Sequence, residues 1–212
     1  MVRLLLIRHG ATAWTAEGRF QGQTDVPLSP HGQRQVAALG QRLTTEKFDL
    51  LYASDLLRAW ETAQVIAALQ ACLVQPEPRL REIAFGDWEG LTYAEIQQRD
   101  ASALAAWERD PCHHAAPGGE TLSQMLIRVR AAYDSLVAAP QDMTVGVVAH
   151  GGALQLLLCC ALGVAPQAYW QFALAPASLS ELCVYAQGAR LMSLNDTHHL
   201  QRSTHSTNLP RL

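Results

Sequence analysis

Arg8, His9, Arg58, Glu82 and His150 are the residues of this chain whose types and settings could do chemistry together. Arg8 and His9 follow the apolar run Leu4-Leu5-Leu6-Ile7 and precede Gly10. His150 follows Val145-Gly146-Val147-Val148-Ala149 and precedes Gly151-Gly152, which repeats the same logic. Two arginines can grip phosphate oxygens bidentately, and both keep their charge. A neutral imidazole is a competent nucleophile toward phosphorus. A second imidazole beside the transferred group can donate to its equatorial oxygens. A carboxyl group among apolar side chains can hold a proton and pass it to a leaving oxygen. Glu82 has that setting, between Leu80-Arg81 and Ile83-Ala84-Phe85. The set is complete for phosphoryl transfer without a metal, because positioning and charge neutralisation supply most of that catalysis. Each member alone has a plainer reading: Arg8 and Arg58 as solvated cations, His9 as a satisfied loop histidine.

Pattern tells which elements must position these groups. The opening run reads as a strand buried on both faces, and ligands of open α/β sheets bind outside the carboxyl ends of strands. Ala11–Gly22 lacks periodicity and reads as an ordered loop, with Trp14 and Phe20 as apolar anchors and Thr15, Arg19 and Gln21 within reach of a ligand. Ser29-Pro30 opens a helix whose apolar face carries Val36, Leu39, Gly40 and Leu43. Phe48–Ser54 reads as the second strand, followed by a helix from about Asp55. Arg58 and Thr62 share a face of that helix, and its N-terminus would add to an anion site. The dipole alone disfavours an arginine there. A third strand falls near Leu73-Val74, and Leu80–Gly90 reads as a loop. Thr92-Tyr93-Ala94-Glu95 is a capping box, with helical pattern through Trp107 and again over Leu122–Ala138. A helix over Leu154–Leu162 and a strand pair at Ser178–Ala186 and Arg190–Leu194 follow. The expected fold is α/β: a three-layer α/β/α sandwich around a mostly parallel sheet. A helical excursion within about 83–140 would stand over the active-site end. One domain spans residues 1–212, and polar Gln201–Leu212 reads as a flexible tail.

Composition narrows the classes. The chain has 212 residues, 49% of them hydrophobic and 17% charged, with a net charge of −3 and no long run of either sign, so neither nucleic acid nor a membrane surface is an expected partner. No apolar run reaches spanning length and no cleavage pattern follows the first strand. Five cysteines, an odd number in apolar settings, suggest reduced thiols in a cytoplasm. His113-His114 and His198-His199 are adjacent pairs that cannot face one ligand together, and no metal site is expected. Arg3, Arg34 and Arg81 read as structural cations.

Six stretches, in order, carry a family resemblance: Leu6-Ile7-Arg8-His9-Gly10-Ala11-Thr12, Arg19-Phe20-Gln21-Gly22, Leu28-Ser29-Pro30-His31-Gly32, Ser54–Ala63, Gly118-Gly119-Glu120-Thr121 and Ala149-His150-Gly151. They resemble the histidine phosphatase superfamily, also called phosphoglycerate-mutase-like, from Val2 to about Leu200. The resemblance implies that His9 is phosphorylated and that Arg8, Arg58 and His150 complete the phosphate pocket. It implies Glu82 as proton donor, and Gln21, Gly22 and Gly151 beside the substrate. Thr15 stands where the family often has Asn, an added phosphate donor with longer reach. The span from Glu82 to Glu120 lacks the mutases' basic insertion, which argues for a phosphatase of small phosphomonoesters. Pro117–Thr121 resembles the α-ribazole phosphatase group. Tyr169–Phe172 and Leu194–Leu200 resemble the metal-independent phosphoserine phosphatases. Phosphoglycerate mutase and a non-catalytic phospholigand-binding protein are the weaker alternatives. No cofactor is implied, and a homodimer is allowed.

Overall fold

A computed structural model describes residues 1–200; the expected tail at 201–212 lies outside the described residues. In chain order the elements are β1 (Val2–Arg8), α1 (Ala13–Glu17), α2 (Pro30–Leu43), β2 (Leu50–Ala53), α3 (Leu57–Gln70) and β3 (Val74–Pro76). Then come α4 (Tyr93–Arg109), α5 (Leu122–Val137), β4 (Thr144–Ala149), α6 (Gly151–Leu162), β5 (Leu179–Tyr185) and β6 (Gly188–Asp196). The strands form one sheet in the order β3-β2-β4-β1-β5-β6. β3, β2, β4 and β1 are mutually parallel, and β5 runs against both β1 and β6. The sheet is therefore mostly parallel, as its buried, unalternating strands require.

β1 shows how the layers form. Its side chains alternate faces, so one apolar run feeds two cores. Leu4 and Leu6 pack with Met125, Val129, Leu154, Leu157 and Leu158 from α5 and α6. Leu5 and Ile7 pack with Leu39, Leu43, Ala63 and Ile66 from α2 and α3. The helices start where local chemistry says they should. Ser29 accepts the Gly32 N–H and Pro30 takes the first turn of α2. Thr92 with Glu95 and Thr121 with Gln124 close reciprocal boxes on α4 and α5.

Four details differ from the sequence reading. The 11–22 loop contains a short helix, α1, because Thr12 caps the Thr15 N–H and Gly18 closes it at a φ of 66°. α3 begins at Leu57 instead of Asp55, since the Leu57 N–H is capped from a distance by Asp25. A 3₁₀ turn, Pro78–Leu80, leads into the Leu80–Gly90 loop, and a second, Gly86–Trp88, lies within it. α5 belongs to the sheet layer, so the excursion over the site narrows to the segment before it.

A third, smaller core holds that excursion down. Phe20, Phe85, Trp88 and Trp107 meet edge to face at centroid distances of 4.8 to 6.3 Å, inside the favourable aromatic range. α4 kinks at Asp100, whose carboxylate accepts the Trp88 indole N–H at 2.9 Å. Phe20 comes from the loop after β1, so this cluster ties the excursion to the end of the sheet where His9 lies. Trp88 is fully buried at its centre. Trp88→Ala should cost about 3–5 kcal/mol, read by urea unfolding; a loss under about 1 kcal/mol would contradict the excursion's dependence on this cluster.

Candidate active site

Three neighbouring parallel strands each end on one polar residue. β2 delivers Ser54, β4 delivers His150 and β1 delivers His9, each one position past the strand. The β1/β4 register pairs Arg8 with Ala149, which puts the two histidines side by side. Their ring centroids are 5.1 Å apart, and both rings are buried, as is Ser54.

Hydrogen bonds set the histidine tautomers. His9 Nδ1 lies 2.7 Å from the Gly10 carbonyl oxygen. A carbonyl can only accept, so Nδ1 carries the proton and Nε2 keeps its lone pair. The Gly10 N–H in turn donates to Thr62 Oγ1, and Thr62 donates to the Arg58 carbonyl. His150 Nε2 lies 2.8 Å from Ser54 Oγ. That hydroxyl can give or take the shared proton; where it donates, the neutral ring's proton sits on Nδ1, which has no partner among the described residues.

Both arginines are held by carbonyl oxygens instead of carboxylates. Arg58 is fully buried. It donates to the Gly22 carbonyl at 2.6 Å and the Thr24 carbonyl at 2.9 Å. Arg8, half-buried, donates to the Leu174 carbonyl. Neither forms an ion pair among the described residues, and the Nε of each is buried without a partner. Burial lowers both guanidinium pKa values, and the nearby charge of Glu82 opposes that shift. The plainer reading of Arg58 as a solvated cation does not hold, and its awkward first-turn position is offset by carbonyl acceptors from the 22–24 loop.

These cations act on the histidines. Burial, then the charges of Arg58 and Arg8, hold His9 well below the ordinary histidine pKa. Burial and Arg58, with His9 and Arg8 after them, do the same to His150. Both rings are neutral at physiological pH. Glu82 closes the other side: its carboxylate accepts the Ile83 N–H at 2.9 Å and the Gly152 N–H at 3.0 Å. Gly152 is in the first turn of α6, so the free N-terminus of that helix faces the same region. A cavity of about 140 Å³ opens beside Glu82 and Gly152.

The remaining candidates shape the surrounding loop. Gly22 has a φ of 51°, and a Cβ there would come within 1.9 Å of the Glu89 carboxylate. Only glycine lets the chain turn there and offer its carbonyl to Arg58. A Cβ on Gly151 would lie 3.5 Å from the Arg8 guanidinium carbon. Thr15 and Gln21 are engaged with the loop itself: Thr12 donates to the Gln21 carbonyl oxygen, and the Gln21 amide donates to Thr15 Oγ1. Arg19 is occupied with Glu17, Glu95 and the Gly90 carbonyl. Arg3 pairs with Glu46 and Glu181, and Arg81 with Asp55. His113 pairs with Asp110.

Several supporting residues escaped the sequence reading. Ser54 stood at a strand end, the same signal that marked His9 and His150. Arg128 shares its helix face with buried Met125 and Val129, an arginine in a core stripe. It pairs with Glu120 and donates to the carbonyls of Arg79, Arg81 and Glu82. Glu89 accepts the backbone N–H groups of Gln23, Thr24 and Phe85, which fixes the loop that receives Arg58. Only its packing partners, not its local sequence, reveal that role.

Two guanidinium groups without an ion-pair partner among the described residues, beside two neutral imidazoles at the carboxyl edge of the parallel strands, make an anion-binding site with Glu82 at its side. The chain belongs to the histidine phosphatase superfamily (branch 1), whose family pattern matches residues 4–197. It is 32% identical to phosphoserine phosphatase 1 of Hydrogenobacter thermophilus, over 94% of this chain and 95% of that one. It is also 32% identical to the adenosylcobalamin/α-ribazole phosphatase of Escherichia coli K12, over 92% and 96% of the two chains. Among solved structures, a mycobacterial glucosyl-3-phosphoglycerate phosphatase in complex with VO₃ superposes with a TM-score of 0.82 at 33% identity, covering 91% of this chain and 98% of that one.

The buried histidines predict a pH signature. Below pH 6.5 the unfolded chain takes up protons that native His9 and His150 refuse, so stability falls as the pH drops from there. The slope is about 1.4 kcal/mol per pH unit for each such histidine. Imidazole NMR signals should stay neutral for both rings as the pH passes 6.5, and His9→Asn should flatten the stability slope. Protonation of either ring near pH 6.5 in the free protein would contradict the electrostatics described.

Proposed function

We propose that this phosphatase-family chain hydrolyses small phosphomonoesters through a phosphohistidine at His9. One observation carries the reading: a neutral histidine with a free Nε2 lone pair sits among two buried guanidinium groups that have no carboxylate partner. Two such charges match a phosphate monoester dianion. Arg8, Arg58 and the Nδ1–H of His150 hold the equatorial oxygens, where charge grows in the transition state. Nε2 of His9 forms a bond to phosphorus as the ester P–O bond breaks. The Glu82 carboxyl group gives its proton to the departing alcohol oxygen. The resulting carboxylate then takes a proton from water, whose oxygen attacks the phosphohistidine. Inorganic phosphate leaves, and His9 and the Glu82 acid are restored.

Metal independence follows from the same charge match, because the arginines and the α6 N-terminus already neutralise the dianion. Gln21, Gly22 and Gly151 border the substrate, and Thr15 contributes by stapling the loop with Gln21 and Thr12. The relatives support a phosphorylated metabolite as substrate, with α-ribazole 5′-phosphate and phosphoserine the first to screen. The absence of a basic insertion between Glu82 and Glu120 favours water over phosphoglycerate as acceptor. Free cysteines at 72, 112, 159, 160 and 183 fit a cytoplasmic enzyme.

A short incubation with substrate, quenched without acid, should trap phosphate on His9. The adduct should be acid-labile, absent in His9→Ala and formed equally well in EDTA. An acid-stable adduct, one that persists in His9→Ala, or activity that needs added divalent metal would contradict the mechanism.

A further inference from the structure

We propose that the leaving alcohol of the substrate carries an apolar, ring-sized group and no negative charge of its own. This rests on the phosphatase reading above. The cavity beside Glu82 is walled by Ile83, Phe85, Trp107, Leu122, Met125 and Tyr169, and no lysine, arginine or histidine lines it. Its volume, about 140 Å³, is close to that of an apolar protein cavity of about 150 Å³ that takes up benzene. The walls are fixed. Met125 and Leu122 are buried, and Trp107 is braced edge to face against Phe20, Phe85 and Trp88.

The electrostatics exclude acidic groups. A substrate carboxylate in this cavity would lose its water among apolar walls without gaining a cation. Arg128 offers no remedy: it is paired with Glu120, and its remaining donors are spent on three backbone carbonyls. Burial, reinforced by the charge of Glu82, raises the Tyr169 pKa, so its hydroxyl stays neutral. That hydroxyl, the Gln155 side chain and the unpartnered Trp107 indole N–H are the neutral polar groups of the pocket. Pro111, Trp107 and Tyr169 also line a second, outer cavity of about 500 Å³ that reaches Trp170. Arg109 lines it together with the acidic Glu108 and Asp110, so the lining carries no net positive charge. A larger apolar substituent can extend that way without meeting net positive charge.

The test compares kcat/KM for benzyl phosphate, phosphoserine and 3-phosphoglycerate, with wild type and Gln155→Lys. All three release alkyl alcohols, so the demand on the general acid is alike. Gln155 lines the cavity and donates to the Phe172 carbonyl. Wild type should prefer benzyl phosphate by at least roughly tenfold, the scale of one mismatched group in a specificity pocket. Gln155→Lys, which places a cation there, should narrow or invert that ratio; if the variant does not fold, the wild-type ratio decides alone. A wild-type enzyme that hydrolyses phosphoserine as well as benzyl phosphate overturns this proposal and leaves the phosphatase reading standing. Hydrolysis of none of the esters, with no phosphate trapped on His9, overturns both.

Discussion

Everything in this molecule depends on keeping two guanidinium groups out of water without giving either a carboxylate. Removing an ion from water costs several kcal/mol even after relaxation. Arg58 meets that cost with the Gly22 and Thr24 carbonyls, and Arg8 with the Leu174 carbonyl. Carbonyls satisfy donors but carry no net charge, so the positive potential survives. Burial, with that potential added, keeps His9 and His150 neutral, and the potential leaves the site attractive to a dianion. A carboxylate in place of those carbonyls would satisfy the arginines better and cancel their effect on any ligand.

Holding the arginines this way makes demands on distant residues. The 22–24 loop must present its carbonyls inward, which requires the left-handed turn at Gly22 and the acceptor Glu89 behind it. Glu89 stands next to the buried Trp88, whose aromatic cluster anchors the excursion. Thr62 links the Gly10 amide to the Arg58 backbone, so the backbone beside His9 and the start of α3 share one support. Arg128 and Glu120 hold the backbone at Glu82 from the α5 side. Ser54, His150 and His9 thus rest on three strand ends, and the loops rest on an aromatic plug.

Much of this was legible in the sequence, for physical reasons. Apolar runs ending in His9 and His150 announced buried strands with their ligand ends, and the structure makes those strands neighbours. Ser29, Thr92 and Thr121 marked helix starts because capping is local chemistry. What the sequence hid was nonlocal. Leu57 starts α3 because Asp25, 32 residues away, caps it. The dipole of α3 disfavours Arg58 at its start, and the carbonyls that accommodate it come from the distant 22–24 loop. α1 was missed because five residues give no periodicity. Thr15 and Gln21 read equally as ligand contacts or as ordinary loop hydrogen-bonding groups, and the hydrogen bonds they make run within the loop.

The central claim is that His9 faces a phosphate site built by Arg8, Arg58 and His150, with Glu82 at the leaving-group side. A crystal structure with bound vanadate tests it most directly, since vanadate adopts the five-coordinate geometry of in-line transfer. The account predicts vanadium bonded to His9 Nε2, equatorial oxygens on Arg8, Arg58 and His150 Nδ1, and the opposite apical oxygen facing Glu82. Vanadate bonded to His150, or bound away from both arginines, would contradict it.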